Sequence, residues 1–152
     1  MKGRIIAMAL VAAALAGPGE AGVYLNARFG YGVDYPQQLI PQPESENGDG
    51  RAFRSADGRT EALVWGGYNA LDQTPQELAR EAEQDCAGSP AYERVTATLV
   101  AMSCVSGGRI IYQKTLIHGD VLTSLRITYP AAERARWDPI AARMSTALRR
   151  GR

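Results

Sequence analysis

Three alternating, β-branched segments in the C-terminal half constrain the fold most strongly. They span residues 93–105, 109–117 and 121–129, and short turn segments containing glycine separate them. Alternation of apolar and polar residues is typical of strands, and tight turns join strands that run in opposite directions. The sequence therefore predicts an antiparallel meander of three strands.

A second strand pair is predicted upstream. Residues 51–56 and 60–68 flank the dipeptide Asp57-Gly58, which is a strong hairpin signal because both residues tolerate positive φ. The second of these segments carries apolar side chains at consecutive positions. This pattern predicts a central strand that is covered on both faces.

The N-terminal part predicts one more strand and a long connection. Aromatic and valine side chains alternate with Gly and Asp over residues 28–35, and Pro36 ends the pattern. Residues 36–50 contain three Pro and end in glycine-containing turn signals. We expect this stretch to form a long loop.

A first helix is predicted from Thr74 to about residue 87. Thr74 can cap the helix, Pro75 suits its first position, and Glu77 completes a capping box. The spacing of the apolar residues places Cys86 in the last turn, facing the core.

A second helix is predicted after Trp137, with Asp138 as the N-cap and Pro139 at the first helical position. Together these elements define the fold class as α+β: a mainly antiparallel sheet of about six strands with helices packed on its faces.

Residues 1–21 resemble a secretory signal peptide. Lys2 and Arg4 precede an apolar run at residues 5–16, and small, helix-breaking residues follow. This order is typical of a cleaved leader, and the run is shorter than the roughly 20 residues that a transmembrane helix needs. The alternatives are an uncleaved N-terminal anchor and a buried core helix.

Cleavage after Ala16 or Ala21 would release one domain, residues 22–152, into the periplasm or the medium, with no stable membrane insertion. The formal net charge of the whole chain is +1. Such a balance gives no electrostatic reason to expect nucleic acid as a partner.

The two cysteines, Cys86 and Cys104, are expected to form a disulfide. An even number of cysteines in an exported chain favours a bridge, and two buried thiols are the alternative. A two-cysteine metal site is disfavoured, since His118 is the only histidine in the chain.

The order of elements resembles that of small exported PsbP-like domains, including DcrB-like envelope proteins. Residues 29–36, the turn region 47–58, the capped helix and the closing segment 129–150 carry this resemblance, which covers roughly residues 23–150. It implies an α/β/α sandwich and implies no activity, so no functional residue is carried over.

No catalytic, metal or cofactor site is predicted. His118 lies in a turn, and no nucleophile motif accompanies it. The acidic stretch around Asp49-Gly50 does not fit the EF-hand pattern, although loose oxygen ligation there stays open. The sequence also lacks the glycine-rich phosphate-binding patterns.

The sequence therefore predicts a non-enzymatic exported protein of the bacterial cell envelope with a binding or accessory role. The expected partner is another protein of the envelope. Its expected contact residues lie in the long loop and beside turns: Glu44, Glu46, Asn47, Asp49, Tyr68 and Tyr92. The alternative is a small-ligand or enzyme site between the sheet and a helix layer, with Arg126, Ser124 and Asp34 as candidates.

Overall fold

The computed structural model describes residues 19–151, so the predicted leader lies almost entirely outside the described residues. Ten strands and two helices follow in the order β1–β5, α1, β6–β9, α2, β10. Their bounds are β1 Gly22–Asn26, β2 Tyr31–Tyr35, β3 Ile40–Glu44, β4 Gly50–Arg54, β5 Glu61–Tyr68, α1 Pro75–Ala82, β6 Tyr92–Val95, β7 Leu99–Ser106, β8 Arg109–His118, β9 Val121–Pro130, α2 Arg134–Ala147 and β10 Arg149–Arg150.

Seven strands form the main antiparallel sheet, in the order β3-β4-β5-β9-β8-β7-β6. The predicted hairpin is present as β4 and β5, and the predicted meander is present as β6 to β9. The expectation of one strand over residues 93–105 is wrong, because the chain turns after β6. There Thr96 N–H donates to the Leu99 carbonyl oxygen over 2.8 Å.

The expected loop at residues 36–50 contains strand β3. Its Pro41 and Pro43 are compatible with a strand because β3 lies at the edge of the sheet, where one row of N–H groups has no neighbour to bond. The register with β4 shifts between Pro41 and Glu44, which marks an irregularity of the bulge type. Two shorter turns remain of the expected loop, at residues 36–39 before β3 and at residues 45–49 between β3 and β4.

Three strands form a second sheet, in the order β1-β2-β10. Of these, only β2 was predicted from the sequence. The second sheet packs with α2 against one face of the main sheet. The core between them is aromatic and aliphatic, and contains Tyr24, Tyr31, Val33, Leu39, Phe53, Ala62, Val64, Ile110, Leu125, Ile127, Tyr129, Trp137, Ile140, Ala141, Met144 and Leu148. The sandwich prediction is thus met in part: each face carries one helix, and a small sheet shares the face covered by α2.

Helix α1 begins as predicted and ends earlier. The Thr74 hydroxyl accepts from Glu77 N–H, and the Glu77 carboxylate accepts from Thr74 N–H, which completes the capping box. The helix ends at Ala82, and Cys86 lies in the turns that follow rather than in the last helical turn. A disulfide joins Cys86 to Cys104 on β7, with a Cα–Cα distance of 5.8 Å, and confirms the predicted pairing.

Helix α2 begins earlier than predicted. A 3-10 turn at Ala131–Glu133 leads the chain into the helix at Arg134, so Pro139 lies inside it and Asp138 is not its N-cap. The Asp138 carboxylate instead accepts a hydrogen bond from the Tyr129 hydroxyl over 2.7 Å. The early start places Trp137 in the core, where it is 1% exposed.

Gly66 on β5 provides a direct test of this packing. A Cβ atom there would lie 2.6 Å from Phe29 side-chain atoms, whereas a Cβ at Gly67 would meet nothing within 4 Å. We expect Gly66→Ala to lower the free energy of unfolding by about 1–3 kcal/mol because the Phe29 ring must move. Gly67→Ala should stay within about 0.5 kcal/mol of the parent in urea unfolding. Equal effects of the two changes would contradict the described position of Phe29.

Candidate functional site

The α1 side of the main sheet is only partly covered. Helix α1 packs over the β7 and β8 half through small clusters built around Leu78, Ala82, Met102 and Ile111. An eight-residue helix is about 12 Å long, which is too short to cover seven strands. The β5 half of this face is therefore left open, and a groove runs between it and α1.

This α1 groove has a volume of about 490 Å³, within the size range of ligand sites. It combines residues of α1 and its flanking loops with residues of β5, β8 and β9. The lining residues are Leu63, Trp65, Gly67, Tyr68, Gln73, Leu78, Glu81, Ala82, Gln84, Gln113, Thr115, Leu122, Ser124 and Arg126.

Two apolar side chains of β5 form the floor of the groove. Leu63 is 37% exposed and Trp65 is partly exposed, whereas Ala62 and Val64 point into the opposite core and are buried. The prediction that β5 is covered on both faces is therefore wrong for this face. Side chains alternate along a strand, so Leu63 and Trp65 share the face that α1 leaves open.

Arg126 links strand β9 to β8 and to the C-terminal end of helix α1 through its side chain. Its Nε donates to the Gln113 side-chain oxygen over 2.7 Å, and one of its terminal nitrogens donates to the Ala82 carbonyl oxygen over 3.0 Å. Its other terminal nitrogen forms an ion pair with Asp85, which follows the helix. The charge of Arg126 is thus balanced within the chain, and its position is fixed on three sides.

A buried pair of hydroxyls lies beside the floor. Thr115 on β8 and Ser124 on β9 are each 5% exposed, and their side-chain oxygens are 2.8 Å apart. One of the two hydroxyls donates its proton to this bond and the other accepts it. The proton of the accepting hydroxyl and the remaining lone pairs are left for a further hydrogen bond. Ser124 lies opposite Trp65 in the sheet register, which places the pair next to the indole.

Side-chain amides complete the rim of the groove. Gln73 donates to the Glu81 carboxylate over 2.9 Å, and Gln84 and Gln113 line the same space. Asn69 holds the loop before α1 in place: its amide donates to the Gln73 carbonyl oxygen, and its side-chain oxygen accepts from Gln73 N–H, both over 2.9 Å. The rim thus presents planar groups that both donate and accept.

The open face continues past the groove toward strand β4 and the turn after β3. A shallow depression of about 420 Å³ shares Leu63 and Trp65 with the groove and extends to Pro43 and Asp49. Tyr68, which is 63% exposed, borders the end of the groove, but its side chain shares the opposite face of β5 with Gly66 and stacks edge-on against Phe29. Of the predicted contact residues, Asp49 therefore borders the open face, whereas the Tyr68 ring lies on the side of the sheet that α2 covers.

The other predicted contact residues lie elsewhere or are engaged within the fold. Glu44 accepts a hydrogen bond from the Tyr24 hydroxyl over 2.6 Å, and Asn47 donates to the Asp49 carboxylate over 2.9 Å. Glu46 is exposed in the same turn. Tyr92 lies on β6, far from this turn in the strand order of the sheet. The six residues therefore do not form one surface.

Tyr92 borders a second groove of about 460 Å³ on the other face of the sheet, between α2 and strands β7 and β8. The Tyr112 hydroxyl lies 2.6 Å from the Ser145 hydroxyl, and burial raises the pKa of Tyr112. Burial and a hydrogen bond to Asp138 raise the pKa of Tyr129. These hydroxyls stay protonated and support α2.

The three residues predicted as candidates for a ligand site do not lie together in the structure. Arg126 and Ser124 line the α1 groove, as the prediction of a site between sheet and helix required. Asp34 lies on the small sheet and pairs with Arg149 over 2.8 Å. His118 is exposed and contacts Arg150. The sequence missed Leu63 and Trp65 as surface residues because their pattern resembled that of a buried strand.

Within residues 19–151, no group of three or more His, Cys, Asp or Glu side chains is placed to hold a metal ion. The helices in this part of the chain include none that is long and apolar enough to cross a bilayer.

Comparison with known proteins gives the fold and no family assignment. No family model matches the chain, and no curated protein is recognisably similar in sequence. The solution structure of cyanobacterial PsbP (CyanoP) from Synechocystis sp. PCC 6803 is similar, with a TM-score of 0.63 and 12% identity, covering 93% of this chain and 98% of that one.

Two further structures match with lower TM-scores. A Bacteroides thetaiotaomicron protein gives a TM-score of 0.51 at 14% identity, covering 90% of this chain and 50% of that one. LpqN, involved in cell envelope biogenesis of Mycobacterium tuberculosis, gives 0.49 at 14% identity, covering 91% and 88%. The similarity to CyanoP shows that the chain has a PsbP-like fold, as the resemblance in its sequence implied.

Proposed function

We propose that this chain is an exported, non-enzymatic accessory protein of the bacterial cell envelope that binds an envelope component in the α1 groove. The observation that carries the proposal is the open half of the sheet face, where Trp65 and Leu63 are accessible beside a fixed polar wall. Partly exposed aromatic side chains on rigid strands are favoured anchors in binding sites.

Export is supported by two features of the chain. The first 21 residues follow the pattern of a cleaved leader, and the Cys86–Cys104 disulfide suits a compartment outside the cytosol. The bridge also fastens the segment after α1 to β7. It therefore stabilises the same helix that forms one wall of the groove.

Binding rather than catalysis is supported by how the polar groups are paired. The Ser124 hydroxyl faces the Thr115 hydroxyl, which is not a base that could activate it. Arg126 is held by Gln113, Asp85 and the Ala82 carbonyl oxygen. These contacts keep a surface in one shape, and a surface that is fixed before binding loses little entropy when a ligand docks.

The groove replaces residues 36–50 as the main contact element. Deleting residues 40–50 would remove strand β3, the whole β3–β4 turn and the first residue of β4, so it would disturb the sheet rather than trim a loop. Substitution of single side chains on the open face is therefore the appropriate way to test the proposal.

We expect Trp65→Ala to weaken binding to isolated envelope particles about tenfold or more, because buried tryptophans contribute most of the energy in many interfaces. The measurement is co-sedimentation of purified protein with the particles over a concentration series. Tyr92→Ala, which removes a 48% exposed aromatic from the second groove, is the matched control and should bind like the parent.

Loss of binding in the Tyr92 variant with retention in the Trp65 variant would place the site in the second groove and refute the proposal. Equal binding by both variants and the parent would also refute it. Circular dichroism of each variant checks that the fold is retained.

A further inference from the structure

We propose that the ligand of the α1 groove is a neutral saccharide. This inference rests on the proposed function and specifies the chemistry of the same site. Three properties of the groove lead to it: the flat aromatic floor, the mixture of donors and acceptors around it, and the internal balance of charge.

The floor suits the face of a sugar ring. A pyranose presents several C–H bonds on one face, and their slightly positive hydrogens are attracted to the negative face of an aromatic ring. Trp65 supplies such a ring, and Leu63 extends the apolar strip along β5. The groove volume of about 490 Å³ accommodates a short oligosaccharide.

The walls suit hydroxyl groups, which donate and accept at the same time. Gln73, Gln84 and Gln113 carry side-chain amides with both functions, and they approach from the loops on either side of α1 and from β8. The Thr115–Ser124 pair retains one unused hydroxyl proton next to the floor. A ligand rich in hydroxyls can satisfy these groups, whereas a purely apolar ligand would bury them without partners.

The charges disfavour an anionic ligand. Arg126 is the basic residue of the lining, and Asp85 already neutralises it. Glu81 lies on the same rim, so a phosphate or carboxylate would meet a negative charge with no unpaired cation among the lining residues to offset it. A neutral saccharide avoids this repulsion and retains the stacking and the hydrogen bonds.

The test is a titration of the ¹⁵N-labelled mature protein, in which the side-chain amides and the two indole N–H groups are resolved by NMR. The probes are chitotriose, which is neutral, and trigalacturonic acid, which is anionic. We expect chitotriose at about 10 mM, a concentration that nearly saturates a site with a Kd of about 1 mM, to shift the Trp65 indole and the amides of Gln73, Gln84 and Gln113.

Variants separate a specific site from general surface contact. We expect Trp65→Ala to abolish the shifts and Trp65→Phe to weaken binding severalfold, since phenylalanine keeps a smaller aromatic face. Gln84→Ala should weaken binding, whereas Gln76→Ala, on the exposed part of α1 outside the lining, should leave it unchanged.

Tighter binding of trigalacturonic acid than of chitotriose would overturn the inference, as would shifts centred on Tyr92. Absence of any shift with chitotriose would overturn it too. If the groove variants still lose binding to envelope particles in that case, the ligand class is wrong and the proposed function stands. If they do not, both fail.

Discussion

Replacing Trp137 by Ala is expected to lower the free energy of unfolding by about 3–5 kcal/mol, the range found when a large buried aromatic side chain is removed. Trp137 is 1% exposed and packs with Tyr129, Ile140 and Met144 in the core between α2 and the main sheet. The cavity left by the indole cannot close without moving α2, because Tyr129 and Asp138 hold the helix start by a hydrogen bond.

Urea unfolding monitored by circular dichroism measures this effect. Trp65→Ala is the matched control: it removes the same side chain from the open face, and we expect a clearly smaller loss because the Trp65 indole is partly exposed. A loss for Trp137→Ala no larger than that of the control would contradict the described start of α2, since Trp137 would then lie outside the core.

Removal of the disulfide is expected to lower the free energy of unfolding by about 3 kcal/mol. The bridge spans 18 residues, and closing a loop of this size restricts the unfolded chain by that amount in the chain-entropy model. Because Cys104 is 2% exposed, replacement of both cysteines by Ala is preferable to serine, which would bury a hydroxyl.

Urea unfolding with and without a reductant measures this prediction. The parent should lose about 3 kcal/mol in reductant, and the doubly substituted chain should be insensitive to it. A parent that is equally stable with and without reductant would show that the bridge does not constrain the chain as described. The loss should also weaken binding in the groove, since the bridge fastens the segment that follows α1.

The features that could be predicted from sequence are those with local signals. The Asp57-Gly58 turn, the Thr74 capping box and the alternation of β8 and β9 each depend on neighbouring residues, and each is present. The disulfide pairing was predictable from two cysteines in a chain whose N-terminal segment has the pattern of a leader.

The missed elements depend on distant partners. β10 consists of Arg149 and Arg150, which pair with Gly32 and Tyr31 more than a hundred residues earlier. Nothing in its composition indicates a strand, and two arginines at a helix end are equally consistent with the helix dipole. β3 carries two prolines, which are typical of a loop unless the strand lies at a sheet edge.

The candidate site was predictable in part. The sequence pattern placed Arg126 and Ser124 on a strand face and predicted a helix layer over the sheet. These two inferences were enough to identify both residues as candidates. The exposure of Trp65 was not predictable, because it depends on how much of the sheet α1 covers. That coverage follows from the end of α1 at Ala82, five residues earlier than its sequence pattern indicates.

Hydroxyl-radical footprinting of the wild-type protein, with and without solubilised envelope material, tests the central claim most directly. We expect oxidation of Trp65 and Leu63 to slow in the presence of the material, whereas Tyr92 and Val105 on the other face of the sheet stay unchanged. Protection of Tyr92 and Val105 with full oxidation of Trp65 would contradict it, and so would unchanged oxidation at every one of these side chains.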